Sequence, residues 1–120
     1  MTRPLHPAAE AYVRSINTHD RGAFLPLFAA DAIVDDAGRE FRGTAAIKER
    51  SDREIFDARV TLEVLNVSEH DGAAVIMTKV DGNFARTGLP DPVVINHHIA
   101  AESGKIVGLT CRLAGERPRT

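Results

Sequence analysis

The group in this chain best suited to chemistry is a carboxylate at the end of a short apolar strand. The stretch from Asp31 to Gly43, DAIVDDAGREFRG, reads as a strand that ends by presenting Asp35 or Asp36 to whatever the neighbouring elements enclose. In a mostly apolar pocket such a carboxylate can take a proton from a carbon beside a carbonyl, if hydrogen-bond donors stand near the oxygen on which charge develops. Burial would raise its affinity for that proton. The plainer reading is that the acid caps a hairpin turn or pairs with Arg39 or Arg42. The other chemically interesting pair, His97-His98, points away from metal binding. Consecutive strand residues face opposite sides, and no acidic companion lies at a ligand spacing, so no metal is expected. Cys111 shares a strand face with Leu109 and Leu113 and reads as a small buried hydrophobe; being the single cysteine, it excludes an intrachain disulfide and a cysteine metal cluster.

The elements that must position these groups follow from periodicity. Ala9, Tyr12, Val13 and Ile16 fall on one face of a helix over roughly residues 7 to 18, opened by Pro7, with Tyr12 pointing inward. Asp20 reads as the N-cap of a short helix carrying Phe24, Leu25, Leu27 and Phe28, made irregular by Pro26. Ala32 to Asp36 is a short strand with Val34 and Asp36 on one face and Asp35 on the other. Ala37-Gly38-Arg39 turns it into a second short strand, Glu40 to Arg42. Thr44 reads as the N-cap of a third helix reaching Phe56, anchored by Ile47, Ile55 and Phe56, with the KERSDRE charges as a solvated face. From Val60 the period becomes two: a strand to Val67, a turn at His70-Asp71-Gly72, and a strand from Ala73 to about Phe84. The loop from Arg86 to Pro92 leads to strands Val93–Glu102 and Ile106–Leu113. His19 and His70 fall at turns and read as solvated.

Helices followed by strands, instead of alternating with them, predict an α+β fold with helices packed on one face of a curved antiparallel sheet. A length of 120 residues fits one domain over residues 1–120, with 114–120 expected as a flexible tail. A 43% hydrophobic share with six aromatic residues and no Trp implies an aliphatic core. A formal charge of -2 without a basic stripe argues against nucleic acid. No apolar run is long enough for a membrane span or a secretory signal, so a cytoplasmic location is the default expectation.

The segments AYVRSIN, FLPLFAADAIVDD, GTAAI and VVINHHIAAESGKIVGL together resemble the nuclear transport factor 2-like superfamily, and within it the SnoaL-like group and the steroid Δ5-isomerases. The resemblance spans nearly the whole chain. It implies a cone, a bent sheet wrapped around three helices to leave a deep apolar pocket, and a homodimer. It also implies site roles: the oxyanion-hole tyrosine falls on Tyr12, the general-base aspartate on Asp36, and the second oxyanion donor on Asn96, where the isomerases carry an aspartic acid. Alternation with Val34 and the family spacing both select Asp36 over Asp35. Asn96 donates through its amide without the raised carboxyl pKa that such an acid requires.

His98 shares the Asn96 face, so it is expected to line the pocket as an acid or base. His97, with Ile95 and Ile99, is then expected on the outer face, as part of a dimer surface. Phe24, Phe28, Phe56, Val64, Met77 and Phe84 are the expected pocket walls, suited to a small apolar or aromatic ligand, with strand register able to swap several of them. Three functions fit. The first is isomerase- or cyclase-type proton transfer by Asp36. The second is ligand binding or dimerisation without catalysis, and the third is hydration or dehydration by His98 with Asp36. None calls for a cofactor.

Overall fold

The computed structural model describes residues 7–70, 72–85 and 87–114. Helix α1 is Pro7–Asn17, and its buried face carries Ala8, Ala9, Tyr12, Ser15 and Ile16. The spacing of those residues is that of one helix stripe, so the helix follows from the sequence pattern. Its last residue clamps it to the sheet, because Asn17 Nδ2 donates to the Leu62 carbonyl at 2.9 Å and Asn17 Oδ1 accepts from Leu62 N at 2.7 Å. Asp20 caps α2, Arg21–Phe24, by accepting from Ala23 N, and Pro26 sits in a 3-10 turn, Leu25–Leu27. Phe28 belongs to neither; it opens strand β1, Phe28–Asp36, which is longer than the expected Ala32–Asp36.

Strand β2, Arg39–Arg42, returns antiparallel to β1, with Asp36 opposite Arg39. The two residues between, Ala37 and Gly38, have φ values of 54° and 90°. Positive φ at both positions is what a type I′ hairpin requires, and it matches the twist of the two strands. Asp35 Oδ1 accepts from Gly38 N at 3.0 Å, so Asp35 serves the turn. Helix α3 is Gly43–Ser51, continued by a π-helical turn, Asp52–Phe56. Thr44 is not its cap: the N-cap position is the extended Arg42, with no side-chain cap bond. The wider π turn changes the phase of the helix, which lets Ile55 and Phe56 both face the core.

Strands β3 (Thr61–His70), β4 (Ala73–Asp81), β5 (Val93–Glu102) and β6 (Lys105–Leu113) complete a sheet in the order β2-β1-β6-β5-β4-β3. β4 ends at Asp81, short of the expected Phe84. The chain leaves it at Gly82, whose φ is 151° and where a Cβ would stand 3.0 Å from the Ala58 carbonyl oxygen, so glycine is needed there. The expectation of a wholly antiparallel sheet needs one correction, since β1 and β6 pair in parallel while every other pairing is antiparallel. Three successive hairpin-type connections bring the chain back from the far edge, and β6 arrives beside β1 running the same way. The fold is thus α+β, with a curved, open six-stranded sheet and three helices.

Along β4, Ala74, Ile76, Thr78 and Val80 are buried on the face toward the helices, and along β5 the same face carries Val93, His97 and Ile99. A bulge between Val64 and Asn66 shifts the face of β3. The GERPRT tail, Asp71 of the β3–β4 turn and Arg86 of the β4–β5 loop lie outside the described residues. No helix among the described residues is long and apolar enough to cross a membrane.

Candidate functional site

A cavity of about 430 Å³ opens between α1, the β1–β2 hairpin, α3 and the inner face of the sheet. That volume suits a small organic ligand. Its walls are mostly apolar: Ile16, Ile55, Leu62, Val80, Phe84, Leu89 and Ile95 among others. Its polar part gathers Tyr12, Asp36, Arg39, Arg50, Glu54 and His97, with Cys111 beside them.

Tyr12 and Asp36 therefore line one cavity, as the sequence suggests. Asn96 and His98 do not. The parity of β5 is the reverse of the expectation: His97 is 4% exposed on the inner face, while Asn96 and His98 are half-buried on the other side. The difference is one of register, since a shift by one residue exchanges every side chain between faces. The neighbours decide the register: His97 lies opposite Ile76 of β4 and Cys111 of β6, both buried. Ile95 and Ile99 turn inward with it, so the surface expected for dimerisation from Ile95, His97 and Ile99 is not on the outside. The two histidines do face opposite sides and cannot share an ion.

His97 is held at both nitrogens. Its Nδ1 lies 3.0 Å from the Tyr12 hydroxyl and 3.7 Å from Cys111 Sγ, and its Nε2 lies 2.9 Å from Thr78 Oγ1. The Tyr12 ring packs edge-on against the imidazole with centroids 5.5 Å apart. Burial, reinforced by the nearby Arg50 charge, pulls the His97 pKa down to about 4, so the ring is neutral at pH 7. Burial pushes the Cys111 thiol up to about 11 and the Tyr12 phenol well above its usual value, leaving both protonated. Cys111 is thus a buried thiol, but one in contact with the site.

Asp36 is ion-paired. Its Oδ2 accepts from Arg39 at 2.7 Å and from Arg50 at 3.0 Å, and its side chain is 21% exposed. Arg39 also grips Glu54 with both terminal nitrogens, at 3.0 and 2.7 Å. Both guanidinium groups lie within 6 Å of the Phe41 ring centre. Arg50 is the residue that the sequence reading missed. The sequence places it in a solvated charge run, yet it is 6% exposed. A signal was present: Ile47, Arg50, Ser51 and Ile55 fall at i, i+3, i+4 and i+8, the buried stripe of that helix.

The expected walls divide. Phe84 lines the cavity. Phe24, Phe28 and Phe56 are buried but stack among themselves, with centroids 5.0 and 5.4 Å from Phe24, and Tyr12 rests on Phe24 at 5.8 Å. They form a core behind the cavity. Val64 is 41% exposed on the edge strand, and Met77, between inward Ile76 and Thr78, faces outward. His19, expected in solvent, is half-buried, and its Nε2 is buried without a partner.

Fold and site together give a helix-backed open sheet with titratable groups at one end of an apolar cavity. Residues 9–109 match the SnoaL-like domain, and the chain belongs to that family. A search of curated protein sequences finds no match. Among solved structures, the chain is similar to a candidate polyketide cyclase from Sinorhizobium meliloti, at 25% identity and a TM-score of 0.79, over 90% of this chain and 95% of that one. It is also similar to a candidate ketosteroid isomerase from Kribbella flavida, at 15% identity and a TM-score of 0.73, over 94% and 81%. A Mycobacterium tuberculosis protein in complex with estradiol-17beta-hemisuccinate superposes at 18% identity and a TM-score of 0.69, over 87% and 88%.

Proposed function

We propose that the cavity binds a small, largely apolar or aromatic molecule whose carbonyl-type oxygen sits against the Tyr12, Arg50 and His97 end. The observation that carries this reading is the division of one cavity into an extended apolar wall and a single polar cluster. Such a site orients a ligand, because the apolar body gains by leaving water and the oxygen must find a donor. The fold neighbour that holds a steroid ester fits the same chemistry. An NMR titration with 2-tetralone tests it. Methyl signals of Ile16, Ile55 and Ile95, which line the cavity, should shift saturably, while those of Ile76 and Ile106, buried elsewhere, stay in place. Without selective shifts at the lining isoleucines the reading fails.

A second reading, isomerase- or cyclase-type proton transfer with Asp36 as base, is favoured by Asp36 and Tyr12 lining the same cavity. In this reading Asp36 takes a proton from the carbon beside the carbonyl, and Arg50 and Tyr12 stabilise the enolate oxygen. Both guanidinium groups already occupy Asp36 Oδ2, which favours binding without turnover. Deuterium uptake at C1 of 2-tetralone in D2O separates the two. Proton transfer requires exchange faster than in buffer and its loss in Asp36→Asn. Hydration by His98 with Asp36 does not fit, because His98 faces away from the cavity that Asp36 lines.

Homodimerisation belongs to the proposal through the outer face, where half-buried Val75, Met77 and Val94 lie with Asn96 and His98. Light scattering should show a dimer that Met77→Glu dissociates.

A further inference from the structure

The cavity carries one more message than an apolar body with an oxygen. The charged side chains at its inner end are Arg39 and Arg50 against Asp36 and Glu54, since Arg112 is exposed on the outer face opposite Asn96. The two anions are largely claimed by Arg39, which holds Glu54 through two bonds and Asp36 through a third. Arg50, by contrast, shares a single Asp36 oxygen at the longer distance of 3.0 Å. Its Nε is buried and has no hydrogen-bond partner. A guanidinium with only 7% of its side chain exposed is ordinarily matched by a carboxylate fork, and here the match is incomplete.

We infer that the ligand of this cavity is an organic anion, a carboxylate on an apolar or aromatic body, with Arg50 as its counter-ion. The inference rests on the binding reading above and names its ligand class. A ligand carboxylate entering from the apolar side supplies the acceptor that Arg50 Nε lacks, while Arg39 keeps Asp36 in place. The electrostatics at the inner end agree: at His97, Tyr12 and Cys111 alike, the influence of the Arg50 charge exceeds that of Asp36.

The test compares 2-naphthoate with its neutral isostere 2-naphthamide by isothermal titration and NMR on the full chain. The naphthoate should bind at least tenfold tighter, and its advantage should weaken with added salt. Arg50→Gln should reduce the preference to under threefold. In case that variant folds poorly, the Arg50 Nε–H signal of the wild type, assigned through Arg50→Lys, should move with naphthoate and stay still with naphthamide. Equal or tighter binding of the amide overturns the anion assignment and leaves the binding reading intact. Failure of both compounds to bind at millimolar concentration overturns both. A preference that survives in Arg50→Gln, or an unmoved Nε–H signal at saturation, removes Arg50 as the counter-ion.

Discussion

His97 and His98 are neighbours on β5, and the sheet between them separates two chemical worlds. His97 stands on the inner face, nearly inaccessible, with both ring nitrogens engaged and Arg50 close enough to oppose its protonation. His98 stands half-buried on the outer face, opposite Val75 and Thr110. The same side chain is a fixed part of a hydrogen-bond network in one place and an element of a surface in the other. Residue type alone does not assign a histidine to a site; strand parity does.

The largest expected effect is a pH dependence that belongs to His97. Its folded pKa of about 4 lies below its ordinary value of 6.5, so between these values the unfolded chain binds the extra proton. This group's contribution is fully present above pH 6.5 and is lost as the pH falls toward 4. A displacement of that size corresponds to about 3 kcal/mol. Urea unfolding at pH 7 and pH 4 should show that loss in the wild type and in His98→Gln. In His97→Gln the pH 4 penalty should be smaller by most of that amount. A penalty unchanged by His97→Gln would mean that the ring is not held neutral.

Truncation sharpens the contrast at constant pH. His97→Ala leaves a cavity beside Tyr12 and strips partners from the Tyr12 and Thr78 hydroxyls, which should cost about 2 kcal/mol at pH 7. His98→Ala removes no contact with the network and should stay within about 0.5 kcal/mol. Equal costs, measured by denaturant midpoints, would erase the distinction between the faces.

This contrast also locates what the sequence could and could not reveal. Tyr12 was legible because a helix stripe fixes which residues point inward, and Asp36 because it alternates with Val34 along its strand and falls at the family spacing. The order of helices and strands gave the α+β cone. The parity of β5 was not legible. In VVINHHIAA apolar residues stand at both odd and even positions, so alternation does not distinguish the faces, and the pairing with Ile76 and Cys111 that does is a long-range property. Arg50 escaped for the opposite reason. Its helix position was right for burial, but its charge suggested solvent, and the ring of Phe41 and the carboxylate of Asp36 that accommodate it come from elsewhere in the chain. Parallel pairing of β1 with β6 likewise depends on where the last strand lands, which no local pattern specifies.

The smallest predicted effect concerns the proton on His97 and decides what Tyr12 offers to a ligand. The neutral ring carries its hydrogen on Nδ1 or on Nε2. If Thr78 donates to Nε2, the ring must donate from Nδ1 to the Tyr12 oxygen, and the tyrosine proton is free to point into the cavity. If Nε2 donates to Thr78, Tyr12 must donate to Nδ1 and presents only lone pairs. Thr78→Val removes the Nε2 partner and should cost about 1 kcal/mol. Its counterpart on the outer face, Asn96→Ala, should cost less. Nitrogen-15 shifts of the His97 ring report the tautomer directly. A wild-type ring protonated on Nδ1 keeps Tyr12 available as a donor to a bound carboxylate or enolate. A ring protonated on Nε2 leaves Arg50 as the principal donor to the ligand.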